Sequence, residues 1–179
     1  MSETNDVNKV IDSVVGNVLW QMDTKKHNTA LKQLQILVWV YGYENNELKG
    51  HVYEDVALSF RKWRSMGIRI FAYSTGMAVA QQLLFSNSTQ GNLLNYIENY
   101  FDVLVGPKNQ ASSFRKIASY LNSTTTQILF VTDTVDEGRA ARDAGCQAVI
   151  VMRPESKRFS SSMAGDIPIV TSLTQIDFV

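Results

Sequence analysis

The segment Ile128 to Met152, ILFVTDTVDEGRAARDAGCQAVIVM, decides how the rest of the chain is read. Ile128 to Val131 is a short apolar run, the length and composition of a buried strand. Asp136 to Ala144 reads as a helix stopped by Gly145. Ala148 to Met152 is a second apolar run of strand length. A strand, a helix of about ten residues and another strand predict a right-handed βαβ unit around a parallel sheet.

The same alternation extends on both sides of this segment. Val56, Phe60, Trp63 and Met66 mark an amphipathic helix with Gly67 as its cap. Ile68 to Tyr73 reads as a strand, Met77 to Leu84 as a helix and Val103 to Val105 as a short strand. Ser112 to Leu121 reads as a helix with Phe114, Ile117, Ala118 and Leu121 inward. Ile167 to Val170 is a weaker strand. The fold class is therefore α/β, and the pattern leaves strand order open. The first fifty residues differ. Val7, Val10, Ile11, Val14, Val15, Val18, Leu19 and Met22 share one helical face. Ala30, Leu31, Leu34, Leu37, Val38 and Tyr41 repeat the spacing, ended by Gly42 and Asn45-Asn46. Two antiparallel helices are the simplest reading. Trp20, Trp39 and Trp63 read as core or helix–helix packing.

Composition narrows the class of function. Of 179 residues, 17 are Lys or Arg and 17 are Asp or Glu, so the net charge is zero. That disfavours a basic nucleic-acid surface. No run approaches the ~18 apolar residues of a membrane span, and MSETNDVNKV carries no secretory apolar region. A cytoplasmic chain is the expectation. The single cysteine, Cys146, excludes an internal disulfide and reads as a buried small apolar residue. His27 and His51 have no zinc-like partners and read as solvated.

In open parallel sheets, ligands bind beyond the carboxyl ends of the strands. Those ends carry Ser74-Thr75-Gly76, then Lys108, then Asp133, then Arg153-Pro154. The set suits a phosphoryl group with a divalent cation. Ser74 and Thr75 offer hydroxyl donors, and the Gly76 amide opens a helix whose N-terminus favours anions. Lys108 offers a compact positive charge against phosphate or a developing transition-state charge. Asp133 is a hard oxygen ligand suited to Mg2+, with Asp136 and Glu137 placed to orient the metal or its waters. Each has a plainer role too: Ser74 with Gly76 shapes a turn, Lys108 is a solvated lysine, Asp133 caps a helix, and Asp136 and Glu137 complement its dipole.

The ordered trio Ser/Thr, Lys, Asp resembles three motifs of the haloacid dehalogenase superfamily. ELKGHVYEDV (47–56), IRIFAYSTG (68–76), AQQLLFSNSTQGNLL (80–94) and YFDVLVGPK (100–108) narrow the resemblance to its enolase-phosphatase, or acireductone synthase, family of methionine salvage. SFRKIA (113–118), QILFVTD (127–133) and the Arg153-Pro154 turn continue it. The resemblance runs from about Val7 to the C-terminus. It implies a haloacid dehalogenase-like parallel Rossmannoid core over 51–179 and a partial helical cap over 1–50. It implies a Mg2+-dependent phosphatase that enolises and dephosphorylates 2,3-diketo-5-methylthiopentyl 1-phosphate, a small phosphorylated diketone, to the acireductone. Ser74 and Thr75 then correspond to substrate binders, Lys108 to the catalytic lysine that also touches substrate, and Asp133 to the metal ligand.

The family's nucleophile is the first acid of an Asp-x-Glu-Gly-Thr motif ending the first strand, and no such motif occurs here. The nearest imitation, Lys9-Val10-Ile11-Asp12, has helical spacing. The chain is therefore expected to begin inside the cap, with a sheet lacking its first strand. In the superfamily that strand pairs between the strands starting here at Ile68 and Ile128, so these must close the gap, leave it open or borrow a strand. Met77, Pro107 and Glu155-Ser156 are smaller departures. Besides an incomplete enolase-phosphatase, the readings are a non-catalytic relative that keeps phosphate and metal contacts, and an unrelated doubly wound binding domain.

Overall fold

The computed structural model describes residues 3–24, 28–156 and 161–178, so His27 lies outside the described residues. The chain divides into two compact units, Met1–Leu48 and Lys49–Val179.

The first unit holds α1 (Glu3–Asp23) and α2 (Thr29–Glu44). Asn28 starts α2 by accepting the Leu31 amide at 2.7 Å, a side-chain cap for an otherwise orphan donor. Gly42 does not end the helix. It lies within α2, and its carbonyl accepts the amides of Glu47 and Leu48. A Cβ at Gly42 would meet the Leu48 side chain at 2.5 Å, so glycine here seats that leucine. Both α1 and α2 carry the helical period that the sequence predicts. Their apolar stripes are helical in period yet exposed, Val10 by 63% and Leu37 by 66%. Trp20 and Trp39 are exposed as well, whereas Trp63 is core.

The second unit is a layered α/β domain. α3 (Glu54–Ser65) leads to β1 (Phe71–Tyr73), α4 (Ala78–Ser86) and β2 (Asn99–Phe101). α5 (Ala111–Tyr120), β3 (Leu129–Thr132), α6 (Val135–Asp143) and β4 (Gln147–Val151) follow, then α7 (Ser161–Ala164) and β5 (Ile169–Val170). All strand pairs are parallel, but they form two sheets, β1-β2 and β3-β4-β5. Alternate residues of β4 show why the layer is apolar on both faces. Ala148 and Ile150 pack with Phe114, Ala140 and Ala141 of α5 and α6. Val149 and Val151 pack with Phe60 and Trp63 of α3 on the opposite face.

The sequence-based strand at Val103 to Val105 is not a strand. The ladder runs over Asn99–Phe101, and 103–105 form a turn. Asp102 causes this: its Oδ1 accepts the Leu104 amide at 2.9 Å and its carbonyl accepts the Val105 amide at 3.1 Å. A short acid that bonds the backbone two residues on competes with the ladder. Leu104 is left 89% exposed despite its apolar neighbours.

Candidate functional site

The carboxyl ends of β1 and β3 open onto a cavity of about 360 Å³ whose lining includes Lys108, Thr132, Asp133, Glu137, Tyr53 and Arg153. Lys108 reaches it from the loop after β2. That loop turns at Gly106, whose φ of +133° is a glycine conformation. The Tyr73 hydroxyl donates to the Gly106 carbonyl at 2.8 Å, and the Ser113 hydroxyl to the Pro107 carbonyl at 2.8 Å. The loop bearing Lys108 is thus tied to β1 and to α5.

A Cβ at Gly106 would collide with the Ser113 Oγ. Gly106→Ala is expected to destabilise the chain by about 2 kcal/mol, because it adds backbone strain to a clash with a buried hydroxyl. Urea denaturation followed by circular dichroism checks this. A loss below about 0.5 kcal/mol would show that the loop yields without strain.

Lys108 is not a solvated lysine. Its Nζ contacts both carboxylate oxygens of Glu137, at 2.9 and 3.0 Å. The Thr132 hydroxyl donates to Glu137 Oε2 at 2.7 Å. Glu137 lies in the first turn of α6, and Thr132 ends β3. The strand and the following helix therefore hold one carboxylate that in turn fixes the ammonium. Asp136 points elsewhere, with its side chain 78% exposed and 3.8 Å from Arg139. Of the two acids expected to orient a metal or its waters, Glu137 lines the cavity and Asp136 does not.

Asp133 is exposed at the cavity edge, and its Oδ1 accepts the Thr134 hydroxyl at 3.2 Å. It does not cap α6, whose N-cap position, Thr134, makes no side-chain cap bond. Among the described residues no cluster of three or more His, Cys, Asp or Glu could hold a metal alone. The donor set fits a hydrated Mg2+ that takes one carboxylate and completes its shell with water and phosphate oxygens.

Ser74 and Thr75 stand at the end of β1 but do not line this cavity. Ser74 lines a larger neighbouring one, and Thr75 is exposed. The Ser74 Oγ accepts the Gly76 amide at 3.0 Å, so that amide bonds within its own turn. The structure thus brings Lys108, Asp133 and Glu137 together and leaves the two hydroxyl residues beside them.

A second group surrounds Arg153, which the strand ends named without its partners. Arg153 Nη2 donates to both Asp55 carboxylate oxygens at 2.7 and 3.0 Å, while Nη1 donates to the Thr171 carbonyl at 3.1 Å. Its guanidinium lies 4.2 Å from the Tyr53 ring centroid, a cation–π arrangement. Asp55 also accepts the Ser172 hydroxyl at 3.0 Å and the Leu173 amide at 2.7 Å. Burial alone would raise the Asp55 pKa, but these bonds, led by Arg153, bring it below the ordinary carboxylate value. The Tyr53 hydroxyl bonds Glu155, which raises the tyrosine pKa. Only an acid in the first turn of a helix marked Asp55 in the sequence, and that signal is common. Cys146 is buried, and burial pushes its thiol pKa up, as suits a packing residue.

Residues 4–145 match the haloacid dehalogenase-like hydrolase model. The chain is 37% identical to enolase-phosphatase E1 of Anopheles gambiae, covering 98% of this chain and 59% of that protein. It is 41% identical to enolase-phosphatase E1 of Xenopus tropicalis, covering 97% and 67% respectively. It is 46% identical over 144 residues to that of Drosophila melanogaster, covering 80% of this chain and 56% of that protein. The chain thus spans between about a seventh and two thirds of the length of the curated relatives it matches. Among solved structures, the UTR4 protein of Saccharomyces cerevisiae aligns with a TM-score of 0.80 at 24% identity, covering 96% of this chain and 80% of that one. A dehalogenase with a bound intermediate aligns at 0.62 and 15% identity, covering 90% and 76%. No helix among the described residues is long and apolar enough to cross a membrane.

Proposed function

Because the chain belongs to the haloacid dehalogenase-like hydrolases, we propose that its site binds the phosphoryl group of a small phosphorylated diketone in the enolase-phosphatase reaction of methionine salvage. The observation that carries this reading is the Lys108 ammonium, held by Glu137, which Thr132 holds in turn, beside the Asp133 carboxylate. Lys108 meets a phosphate oxygen and stabilises charge developing on it during transfer. Asp133 would hold Mg2+, which when bound would neutralise the phosphate's negative charge. Ser74 and Thr75 donate hydroxyl hydrogen bonds to the phosphoryl group from the end of β1. The cap role of residues 1–50, the core role of 51–179 and a cytoplasmic location belong to the same reading.

A second reading is phosphate and metal binding without turnover. It is favoured by the cavity lining, which holds two carboxylates, Asp133 and Glu137. Asp133 is the metal ligand of the proposal, and Glu137 is held by Lys108. A covalent phosphoryl route needs a further attacking carboxylate, and the described residues that line the cavity include no third one.

Two measurements on the full chain separate these readings. Calorimetric titration with inorganic phosphate is expected to show binding that Mg2+ strengthens at least tenfold. Asp133→Asn should remove that enhancement while leaving metal-free phosphate binding within about threefold. Phosphate binding that is indifferent to both Mg2+ and Asp133 would overturn the metal assignment. Release of phosphate from the diketone phosphate, lost in Asp133→Asn, would favour turnover. Binding without release would favour the second reading.

A further inference from the structure

The cavity that holds Lys108 and Asp133 has a second cation in its wall. Arg153 follows the end of β4 and lines the same space as Lys108. The two cations are held alike. Lys108 is paired with Glu137, whose carboxylate accepts the Thr132 hydroxyl. Arg153 is paired with Asp55, whose carboxylate accepts the Ser172 hydroxyl and the Leu173 amide. Much of the remaining wall is apolar, with Val56, Val131, Val151 and Leu173. A phosphoryl group on Lys108 and Asp133 leaves Arg153 without a ligand partner.

The Arg153 guanidinium is held ready for one. Its backbone amide donates to the Ser156 Oγ at 3.0 Å, and its carbonyl accepts the Ser156 amide at 3.0 Å. Its guanidinium lies over the Tyr53 ring, and the Tyr53 hydroxyl bonds Glu155 of the same turn. A pre-oriented guanidinium loses little side-chain entropy when it meets a ligand. It carries five N–H donors. Nη2 serves Asp55, and one donor of Nη1 serves the Thr171 carbonyl. Among the described residues, no acceptor meets the Nε–H or the second N–H of Nη1. Donors in a largely buried wall are normally satisfied, by protein, water or ligand.

Charge decides which acceptor suits them. Asp55 already neutralises Arg153, and Glu155 bonds the tyrosine that the guanidinium covers. A second anionic group on the ligand would meet two carboxylates around one cation, and like charges repel. A neutral carbonyl oxygen accepts the same N–H bonds without that repulsion.

We propose that Arg153 is a specificity-determining donor of this site, which recognises a ketone oxygen on a ligand whose phosphoryl group sits at Lys108. The ligand class is a phosphoryl group joined to a ketone through a short carbon chain. This rests on the phosphoryl reading of Lys108 and Asp133, and adds to it a means of choosing among phosphoryl compounds. Asp55 and Tyr53 act through Arg153, as positioning residues that fix its plane.

The test is calorimetric titration of the full chain, with Mg2+ present, by acetonylphosphonate and by propylphosphonate. The two share the phosphoryl group and differ by one ketone oxygen. The wild-type chain is expected to bind acetonylphosphonate at least tenfold more tightly. Arg153→Gln made together with Asp55→Asn strands no charge, and urea denaturation checks that it folds. In that variant the preference should fall to within about threefold. A merely structural role would weaken both ligands together and leave their ratio unchanged, which would overturn the proposal. A second measurement needs no variant. The Arg153 side-chain N–H resonances of the wild-type chain are expected to shift with acetonylphosphonate and to stay in place with propylphosphonate. Equal shifts with both would overturn the proposal. Carboxyethylphosphonate is expected to bind no more tightly than propylphosphonate, and tighter binding would reassign Arg153 to a carboxylate and overturn it. If both ligands bind the wild-type chain equally, the ketone assignment fails and the phosphoryl reading stands. If neither they nor inorganic phosphate bind, both fail.

Discussion

Lys108→Ala is expected to weaken phosphate binding by about 100-fold, measured by calorimetric titration of the full chain with inorganic phosphate. Two effects add. The first is loss of the ammonium, whose charge-assisted hydrogen bond to a phosphate oxygen contributes roughly 1.5–3 kcal/mol. The second comes from Glu137, whose side chain is only 14% exposed and bonds both Lys108 and Thr132. Without Lys108 it becomes an uncompensated carboxylate beside the incoming anion, and like charges in a partly buried site repel strongly. The second effect is separable. Adding Glu137→Gln to Lys108→Ala removes the repulsion and is expected to restore about tenfold of the affinity. In the Lys108-containing chain, Glu137→Gln should weaken binding, because the ammonium loses its anchor. This change of sign in a double-mutant cycle is what a positioning carboxylate produces. Equal affinity in all four proteins would remove Lys108 from the site.

Asp55→Ala is expected to destabilise the second unit by about 3 kcal/mol, read from urea denaturation. The carboxylate accepts from Arg153, Ser172 and the Leu173 amide, so it ties the start of α3 to the end of β4 and to the C-terminal segment. The Asp55 and Arg153 side chains are only 15% and 16% exposed. Removing one partner of such a pair strands the other, which is why the loss exceeds that of a surface ion pair. The pH dependence follows from the lowered pKa of Asp55. A carboxyl whose folded pKa is depressed contributes stability that is complete above its unfolded pKa of ~3.9. That contribution is lost as pH falls through the folded pKa. The difference in stability between the wild-type chain and Asp55→Asn is therefore expected to hold from pH 7 to about 5 and to shrink below pH 4. A difference that is independent of pH down to 3 would remove the ionised carboxylate from this account.

Much of the fold was legible because strand and helix burial repeat with local periods. The runs IRIFAY, ILFV and AVIVM mark β1, β3 and β4 to within a few residues. The failure at Val103 to Val105 has a local cause as well. Apolar content suggested a strand, but Asp102 bonds the backbone two residues on and bends the chain first. The apolar spacing of α1 and α2 read correctly as helical. Spacing reports which face a helix offers, and it carries no information on what packs there.

At the site, the strand-end rule located Lys108 and Asp133, because the carboxyl ends of parallel strands share one edge whatever their order. It did not show that Glu137, and not Asp136, would turn inward. One helical residue rotates a side chain by about 100°, and only the position of α6 against β3 decides which acid meets Lys108. Nor could it show Arg153 on Asp55, a pair 98 residues apart.

The amino-acid sequence by itself determined an α/β core with polar, phosphate-suited residues at its strand ends, because burial period and turn chemistry are local properties. The tertiary structure alone decided that β1 and β3 belong to separate sheets, that Glu137 anchors Lys108, and that the Ser74 Oγ accepts the Gly76 amide. Strand pairing and ion pairing depend on which distant groups the packed layers bring within hydrogen-bond distance, and no local pattern encodes that choice.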